Sequence, residues 1–261
     1  MSPASGQIVV HAYGLVPGTD GLSLPEGIDG RPVETMTVGS LSALISALDA
    51  NRYGPQAWEE HAEDLAWINQ LVNEHHRVLQ QAVEQGDVLP LRLSTIHSDA
   101  PALKRAMEEH ETELTAALER VRGHVEMGVK VYAADAASAS TGQPRPASGR
   151  DYLTQRSSAA RRQEEDWARR QAGALHLHEE LALGSTHSRV NEPQDSALSG
   201  RGEAMLLNAA YLVPRDDIET FVAQVSVLGE RVAGSGLAVE CTGPWPAYNF
   251  ADDSPGIGSS A

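Results

Sequence analysis

The chain has 261 residues, and its 36 acidic against 20 basic side chains give a formal net charge of −16. This charge opposes long-range attraction to nucleic acids and anionic membranes, so DNA binding is excluded as the default role. No run of about 18 apolar residues occurs and the amino terminus lacks a signal-peptide layout, so we expect a cytosolic protein. The single cysteine, Cys241, cannot form an internal disulfide, which fits a reducing compartment.

Two strand patterns and one ambiguous segment open the chain. Residues 8–16 are β-branched and aromatic and end at Pro17-Gly18, which predicts a first strand. Residues 33–38 alternate and predict a second. Residues 41–48 fit either a hairpin strand or a short helix, because their apolar positions satisfy both periods.

A helical pattern follows from Pro55 and predicts one long helix, with Gly86 as a left-handed cap residue. Residues 89–96 then alternate apolar and polar side chains. Pro90 within them predicts a strand at a sheet edge, because proline cannot donate to a central ladder. The predicted core stripe of the helix consists of Leu65, Ile68, Val72, Val78 or Leu79, and Val83.

The sequence predicts a second helix that begins near Pro101, and we interpret this helix as a connector between two domains. Its apolar stripe is Leu103, Met107, Leu114, Leu118 and Val121. The elements predicted after it, in chain order, are a strand over 125–132, a mobile Ala-, Ser-, Pro- and Gly-rich tract, a charged helix over 152–183, a polar loop with room for a short strand, a strand over 205–213, a helix over 218–228 and a strand over 237–241.

This order predicts an α+β protein with two domains whose sheets are antiparallel-rich, joined by a long helix. The second half has the element order of a ferredoxin-like split βαβ unit. The predicted parts are an N-terminal α/β domain (1–98), a connecting helix (99–123), a C-terminal ferredoxin-like domain (124–251) with a mobile loop (133–149), and a disordered tail (252–261).

The segment Thr242–Phe250 is the most unusual part of the sequence. Pro244 and Pro246 flank Trp245, so the backbone is stiff and extended, and Tyr248 and Phe250 follow closely. These aromatic rings either cover an edge of the core or anchor a partner, since aromatic residues are enriched in interfaces.

Several short motifs together resemble the GvpF/GvpL family of gas vesicle proteins, which are accessory proteins of the hollow protein organelles that make some bacteria and archaea buoyant. The two most specific are Leu207–Val213 and Thr242–Phe250. Ala247 departs from the pattern, since a third proline is common there. The remaining motifs are Tyr13–Val16, the helix with His76, Val78 and Leu79, Val88–Leu93, Gly128–Tyr132 and Ser148–Leu153.

This resemblance implies two α/β-type domains, the second a modified ferredoxin-like fold, and a role in forming the vesicle or residing in it. It implies no catalytic activity and no cofactor. The implied partners are the small hydrophobic shell protein (GvpA-type) and other gas vesicle accessory proteins, at the gas vesicle in the cytoplasm.

Candidate reactive groups favour no enzyme, metal site or nucleic-acid surface. His176 and His178 lie two residues apart on a helix and diverge, so they predict a solvated face beside Glu179 and Glu180. Of the adjacent His75 and His76, we expect one in the core and one exposed. Ser235 predicts a turn, Gly200-Arg201-Gly202 lacks the third glycine of a dinucleotide motif, and acidic residues interleave the arginines at 156, 161, 162, 169 and 170.

The leading hypothesis is a non-enzymatic accessory or structural protein that is required for gas vesicle formation, either as an assembly chaperone or as a component of the finished wall. Its predicted contact surface combines the edge strand, with Leu91 and Leu93, and the aromatic residues Trp245, Tyr248 and Phe250. Two alternatives are a small-ligand-binding regulatory protein with ferredoxin-like domains and an enzyme with a histidine or carboxylate base.

Overall fold

A computed structural model describes residues 7–18, 21–134, 149–193 and 203–251, with the backbone alone over 149–155. These residues combine helices with antiparallel sheets, and their contacts group them into two compact units. The first unit contains the described residues up to Glu126 and those from Trp245 onward, and the second contains Met127–Pro244. The predicted tail from residue 252 and all but the ends of the predicted loop over 133–149 lie outside the described residues.

The described strands are β1 (Ile8–Val16), β2 (Glu34–Val38), β3 (Leu41–Asp49), β4 (Leu89–Pro90), β5 (Ile96–His97), β6 (His124–Ala133), β7 (His187–Val190), β8 (Met205–Pro214) and β9 (Leu237–Trp245). The described α-helices are α1 (Ala50–Tyr53), α2 (Pro55–Glu60), α3 (Leu65–Gln85), α4 (Ala100–Glu109), α5 (Glu111–Val121), α6 (Gly149–Leu183), α7 (Ile218–Ala233) and α8 (Tyr248–Ala251). Short 3-10 helices occupy Ile28–Gly30 and Arg215–Asp217.

The first unit contains a five-stranded sheet in the order β2-β3-β1-β4, with β5 also paired to β1. The pairings of β1 with β3, β4 and β5, and of β2 with β3, are antiparallel. Residues 41–48 are therefore strand, because pairing with β1 on one side and β2 on the other satisfies their backbone groups. β3 is buried on both faces over most of its length, so its side chains do not alternate cleanly in polarity.

The predicted long helix from Pro55 is interrupted, since α2 ends at Glu60 and α3 begins anew. The Asp64 carboxylate caps α3 by accepting hydrogen bonds from Ala66 N (3.0 Å) and Trp67 N (3.1 Å). The predicted core stripe was wrong over its first half, because Leu65 and Val72 are exposed. Gly86 ends α3 with extended backbone, φ 175°, instead of the predicted left-handed conformation. The face that α3 buries consists of Leu71, His75, Val78, Leu79, Ala82 and Val83.

In place of a single connecting helix over 99–123, α4 and α5 are separated at His110. Both contact elements of the first unit, α4 at β2 and β5 and α5 at β4. All five residues of the predicted apolar stripe are buried, so the pattern identified a core face correctly. That face packs within the first unit and so does not form a linker.

The predicted edge strand over 89–96 is two short strands, β4 and β5, with a turn at Leu93 and Ser94 between them. The segment still follows β1, because Leu91 N donates to Tyr13 O (2.9 Å) and Thr95 O accepts from Ala12 N (3.0 Å). The edge position predicted from Pro90 is confirmed, since β4 ends the order of the sheet.

Gly14 lies where β1 has an irregular register against β3. A Cβ atom at this position would stand 2.7 Å from Leu79 Cδ2 and 2.9 Å from Leu89 O. Both distances are too short for a side chain, so α3 and β4 approach the backbone of β1 here as only glycine permits.

The second unit runs β6, α6, β7, β8, α7, β9, and its sheet has the order β7-β8-β6-β9. Helix α6 contacts β8 and α7, and its carboxyl-terminal part buries Ala174, Leu177 and Leu181. Tyr211 of β8 is fully buried, with its ring 5.3 Å from that of Phe221 and its hydroxyl 2.8 Å from His178 Nδ1.

Candidate partner-binding site

The two leucines of the predicted contact surface differ in access. Leu91 is buried, with 7% of its surface exposed, whereas Leu93 in the following turn is half-buried. Leu91 is also held by its backbone, since its carbonyl accepts from His75 Nε2 (3.2 Å). Leu91 is therefore a core residue, and Leu93 is the member of the pair that a partner could reach.

His75 joins Leu91 to a second buried histidine. Because the Leu91 carbonyl can only accept, His75 carries its proton on Nε2, and His75 Nδ1 accepts from His11 Nε2 at 2.9 Å. Burial lowers the pKa of His75 to about 4, and burial together with His75 lowers that of His11 well below its usual 6.5. The pair is thus neutral near pH 7 and supports the core beneath the edge of the sheet.

The aromatic segment packs on α3 within the first unit. The Trp245 and His76 rings have centroids 5.3 Å apart, and the Tyr248 hydroxyl lies 2.9 Å from His76 Nδ1. Trp245, Tyr248 and Phe250 are all half-buried. Of the two purposes predicted for these rings, covering a core edge is what the described contacts display, and the exposed parts of the rings leave area for a partner.

Glu126 holds the aromatic segment in place through hydrogen bonds to Asn249. Its side chain is buried, and its carboxylate accepts from Asn249 N and Asn249 Nδ2, both at 2.7 Å. Charge-assisted bonds of this kind are roughly twice as strong as neutral ones. Burial and the nearby Glu126 carboxylate raise the pKa of Tyr248, because both disfavour the phenolate, and burial lowers the pKa of His76.

Helix α8 contacts β4, so the segment with Tyr248 and Phe250 lies beside Leu89–Pro90. The structure therefore brings the two predicted halves of the contact surface together in one unit. Helix α8 also covers the edge strand β4, so that β4 is less available for pairing with a strand of another chain.

The groups predicted to lack chemistry occupy structural roles where they are described. His176 Nε2 lies 3.1 Å from a Glu180 carboxylate oxygen, and Glu180 in turn accepts two hydrogen bonds from Arg231. Ser235 lies in the turn between α7 and β9, as predicted. Gly200-Arg201-Gly202 lies outside the described residues.

The described residues contain neither a metal-binding cluster nor a membrane-spanning helix. No cluster of three or more His, Cys, Asp and Glu side chains in them is arranged to hold a metal ion. Likewise, none of their helices combines the length and apolarity that a membrane crossing requires.

Sequence patterns missed Glu126 and Asn249. Glu126 sits in β6 between Val125 and Met127, where an acidic residue within an alternating strand reads as solvent-facing. Its burial depends on Asn249, which is 123 positions away in the sequence. The only local signal was a carboxylate on a strand whose other residues are mostly apolar.

Comparison with known proteins identifies the class. The sequence profile described as "Gas vesicle synthesis protein GvpL/GvpF" matches residues 9–252. The chain is 37% identical over 249 residues to gas vesicle protein L of Streptomyces sp. (strain CB03234), covering 92% of each chain. It is 26% identical over 247 residues to gas vesicle protein F of Haloferax mediterranei, covering 93% of each.

Solved structures agree at the level of the fold. The crystal structure of gas vesicle protein GvpF from Anabaena sp. PCC7120 superimposes with a TM-score of 0.69 at 19% identity, covering 94% of this chain and 96% of that one. The crystal structure of GvpF from Microcystis aeruginosa superimposes with a TM-score of 0.62 at 18% identity, covering 93% of this chain and 98% of that one. The sequence matches thus indicate a gas vesicle accessory protein, and the solved structures show the same fold. The chain belongs to the GvpL/GvpF family.

Proposed function

We propose that the chain is a non-enzymatic accessory or structural protein that is required for gas vesicle formation, and that it binds the hydrophobic shell protein (GvpA-type) and other accessory proteins. The observation that carries the proposal is the family match over residues 9–252. The proposed location is the gas vesicle, within the cytoplasm.

The physical requirements of such a role fit this chain. A protein that handles an aggregation-prone apolar polypeptide needs a surface that covers apolar side chains. It also needs enough like charge to stay dispersed, and the formal net charge of −16 serves that need.

For the contact we propose the surface that Leu93, Trp245, Tyr248 and Phe250 form beside the covered strand β4. Their half-buried state supports this choice, because side chains that are packed on one side and open on the other bind with little loss of conformational freedom. Leu91 supports the surface from within the core.

Two domains are part of the proposal, the second a modified ferredoxin-like fold. The ferredoxin-like assignment is supported by the chain order β6, α6, β7, β8, α7 and β9. It is also supported by the sheet, in which β6 and β8 are the two central strands. The carboxyl-terminal segment from Trp245 is then assigned to the first domain.

A pull-down of purified shell protein by the immobilised full chain tests the contact surface. We expect a Trp245→Ala/Phe250→Ala variant to lose about tenfold or more in affinity, since central aromatic residues dominate interfaces. Trp167→Ala is the matched control, because Trp167 is a partly exposed tryptophan on α6 in the second unit.

Circular dichroism and thermal unfolding establish that each variant is folded. Undiminished capture by a folded double variant removes the aromatic segment from the interface. No capture by the wild-type chain under any condition contradicts the proposed function itself.

A further inference from the structure

A groove in the first unit is lined by none of the residues of the aromatic segment and has no role in the site described above. It consists of two hollows of about 450 and 220 Å³ that share Pro55 and Ile96 in their walls. One wall is α2, with Pro55, Trp58 and Glu60, and the other is β5 with the start of β1. The described residues hold no other strand beside β5 than β1.

The smaller hollow of the groove exposes mainly apolar surface, and the larger one exposes polar and apolar surface in nearly equal parts. Ile8 at the start of β1 is 54% exposed, and the described residues that line the smaller hollow are Pro55, Trp58, Ser94 and Ile96. The Trp58 ring is held by an edge-to-face contact with Trp67, at 5.1 Å between ring centroids. The apolar wall is therefore fixed in place before anything binds, which lowers the entropy lost on binding.

The indole N–H of Trp58 is a second feature that favours a bound polypeptide. Its Nε1–H is shielded from solvent and has no hydrogen-bond acceptor among the residues that the structure describes. A buried donor left unpaired is costly, so a small shift of the Trp58 ring that brings the N–H within reach of an acceptor in the groove is favoured. The carbonyl of a polypeptide backbone is such an acceptor.

The groove carries a negative charge, at Glu60. Glu60 is the only lining residue with a formal charge near pH 7, and no Lys or Arg is among the described residues that line either hollow. One Glu60 oxygen accepts from Gln56 Nε2 (3.0 Å), and within the described part of the chain no basic side chain pairs with Glu60. A basic side chain of a partner is the complementary group.

Size selects the form of the occupant. One turn of an α-helix, about 10 Å across and 5.4 Å high, fills about 400 Å³. The larger hollow would thus hold a single turn and the smaller one only side chains. An extended segment beside β5 fits both hollows, since alternate side chains of an added strand enter pockets along a sheet edge.

We propose that the groove between α2 and β5 binds an extended, apolar segment of a partner polypeptide that carries a basic residue opposite Glu60. This inference deepens the proposed function and rests on it, because the segment belongs to a polypeptide that the protein handles. The apolar side chains contact Pro55, Trp58 and Ile96.

Fluorescence anisotropy with two labelled synthetic peptides tests the proposal on the full chain. Both peptides alternate valine and serine, and they differ only at one central position, which is arginine in one and glutamate in the other. We expect the arginine peptide to bind and the glutamate peptide to bind at least about fivefold more weakly, as a partly exposed ion pair allows.

Two pairs of variants locate the binding. Glu60→Gln is expected to weaken the arginine peptide by about three- to fivefold, whereas Glu59→Gln, one residue away on α2 and outside the lining, leaves it unchanged. Trp58→Phe keeps an aromatic side chain at the wall but removes the N–H together with part of the indole, and is expected to weaken both peptides by about two- to tenfold. Trp167→Phe is its matched control.

Binding of neither peptide to the wild-type chain, equal binding of both, or equal effects of Glu60→Gln and Glu59→Gln each overturn the proposal. These outcomes are separate from failure of the proposed function. Capture of shell protein by the wild-type chain that Glu60→Gln and Trp58→Phe leave intact refutes the groove alone, whereas absent capture refutes the function.

Discussion

Replacing Glu126 by glutamine should release the aromatic segment from the first unit. The Glu126 carboxylate accepts two hydrogen bonds of 2.7 Å from Asn249, one from the backbone N–H and one from the side-chain amide. Glutamine keeps one acceptor oxygen and turns an NH2 group towards a donor. The substitution therefore removes the negative charge from both bonds, and it also sets two donors against each other where the Asn249 amide keeps its orientation.

The magnitude follows from these contacts. A hydrogen bond to a charged group contributes about 1.5–3 kcal/mol, and an unpaired buried donor costs about 1–3 kcal/mol. The loss of one charged bond alone gives about 1.5–3 kcal/mol, so we expect Glu126→Gln to lower the free energy of opening of the segment by at least about 1.5 kcal/mol, which corresponds to a roughly tenfold or larger rise in opening.

Amide hydrogen exchange followed by mass spectrometry measures this locally, on a peptide that spans Trp245–Ala251. A local readout is needed because a chain with two compact units does not guarantee one cooperative unfolding transition. Glu119→Gln is the matched control, since its exposed ion pair with Arg122 contributes little.

A double-mutant cycle completes the test. Asn249→Ala should speed exchange of the segment by itself and add little to Glu126→Gln, because the two residues share one interaction. Exchange of the segment in Glu126→Gln that equals the wild type would refute the role assigned to Glu126.

Two further outcomes concern the core of the first unit. Because the folded pKa of His75, about 4, lies below the unfolded value of 6.5, the folded chain binds fewer protons at this side chain. The contribution of His75 to stability is therefore full above pH 6.5 and falls by about 3 kcal/mol as the pH drops towards 4, and His11 adds to the loss in the same direction. Urea unfolding at several pH values checks this, and an equally steep loss in His75→Gln contradicts it. Gly14→Ala should cost about 1–3 kcal/mol because of its close contacts with α3 and β4, whereas Gly18→Ala, with open space around its Cβ, should cost far less; equal unfolding midpoints would contradict this.

Local sequence patterns were sufficient to predict an element where its buried residues recur with the periodicity of a strand or a helix. β1 and β8 were predicted with nearly their observed bounds, because both are long apolar runs flanked by glycine, proline or charged residues. The apolar stripe of α4 and α5 was likewise visible in the sequence.

The same patterns failed where a tertiary contact decided the outcome. The stripe of Leu65 and Val72 has helical spacing and lies on α3, but these residues face solvent, because the core-facing positions begin at Leu71. Residues 41–48 were ambiguous until pairing with β1 and β2 made them a strand.

The candidate site shows the same division. The aromatic residues Trp245, Tyr248 and Phe250 were recognisable from their proline-rich setting. Their position on α3 depends on His76 and on the buried Glu126, neither of which has a sequence signature. Sequence periodicity describes one element at a time, and these contacts join elements that are far apart in the chain.

Deletion of the gene in its host, followed by electron microscopy, tests the central claim most directly. We predict that the deletion strain forms no normal gas vesicles and that a plasmid copy of the wild-type gene restores them. Normal, buoyant vesicles in the deletion strain would contradict the account.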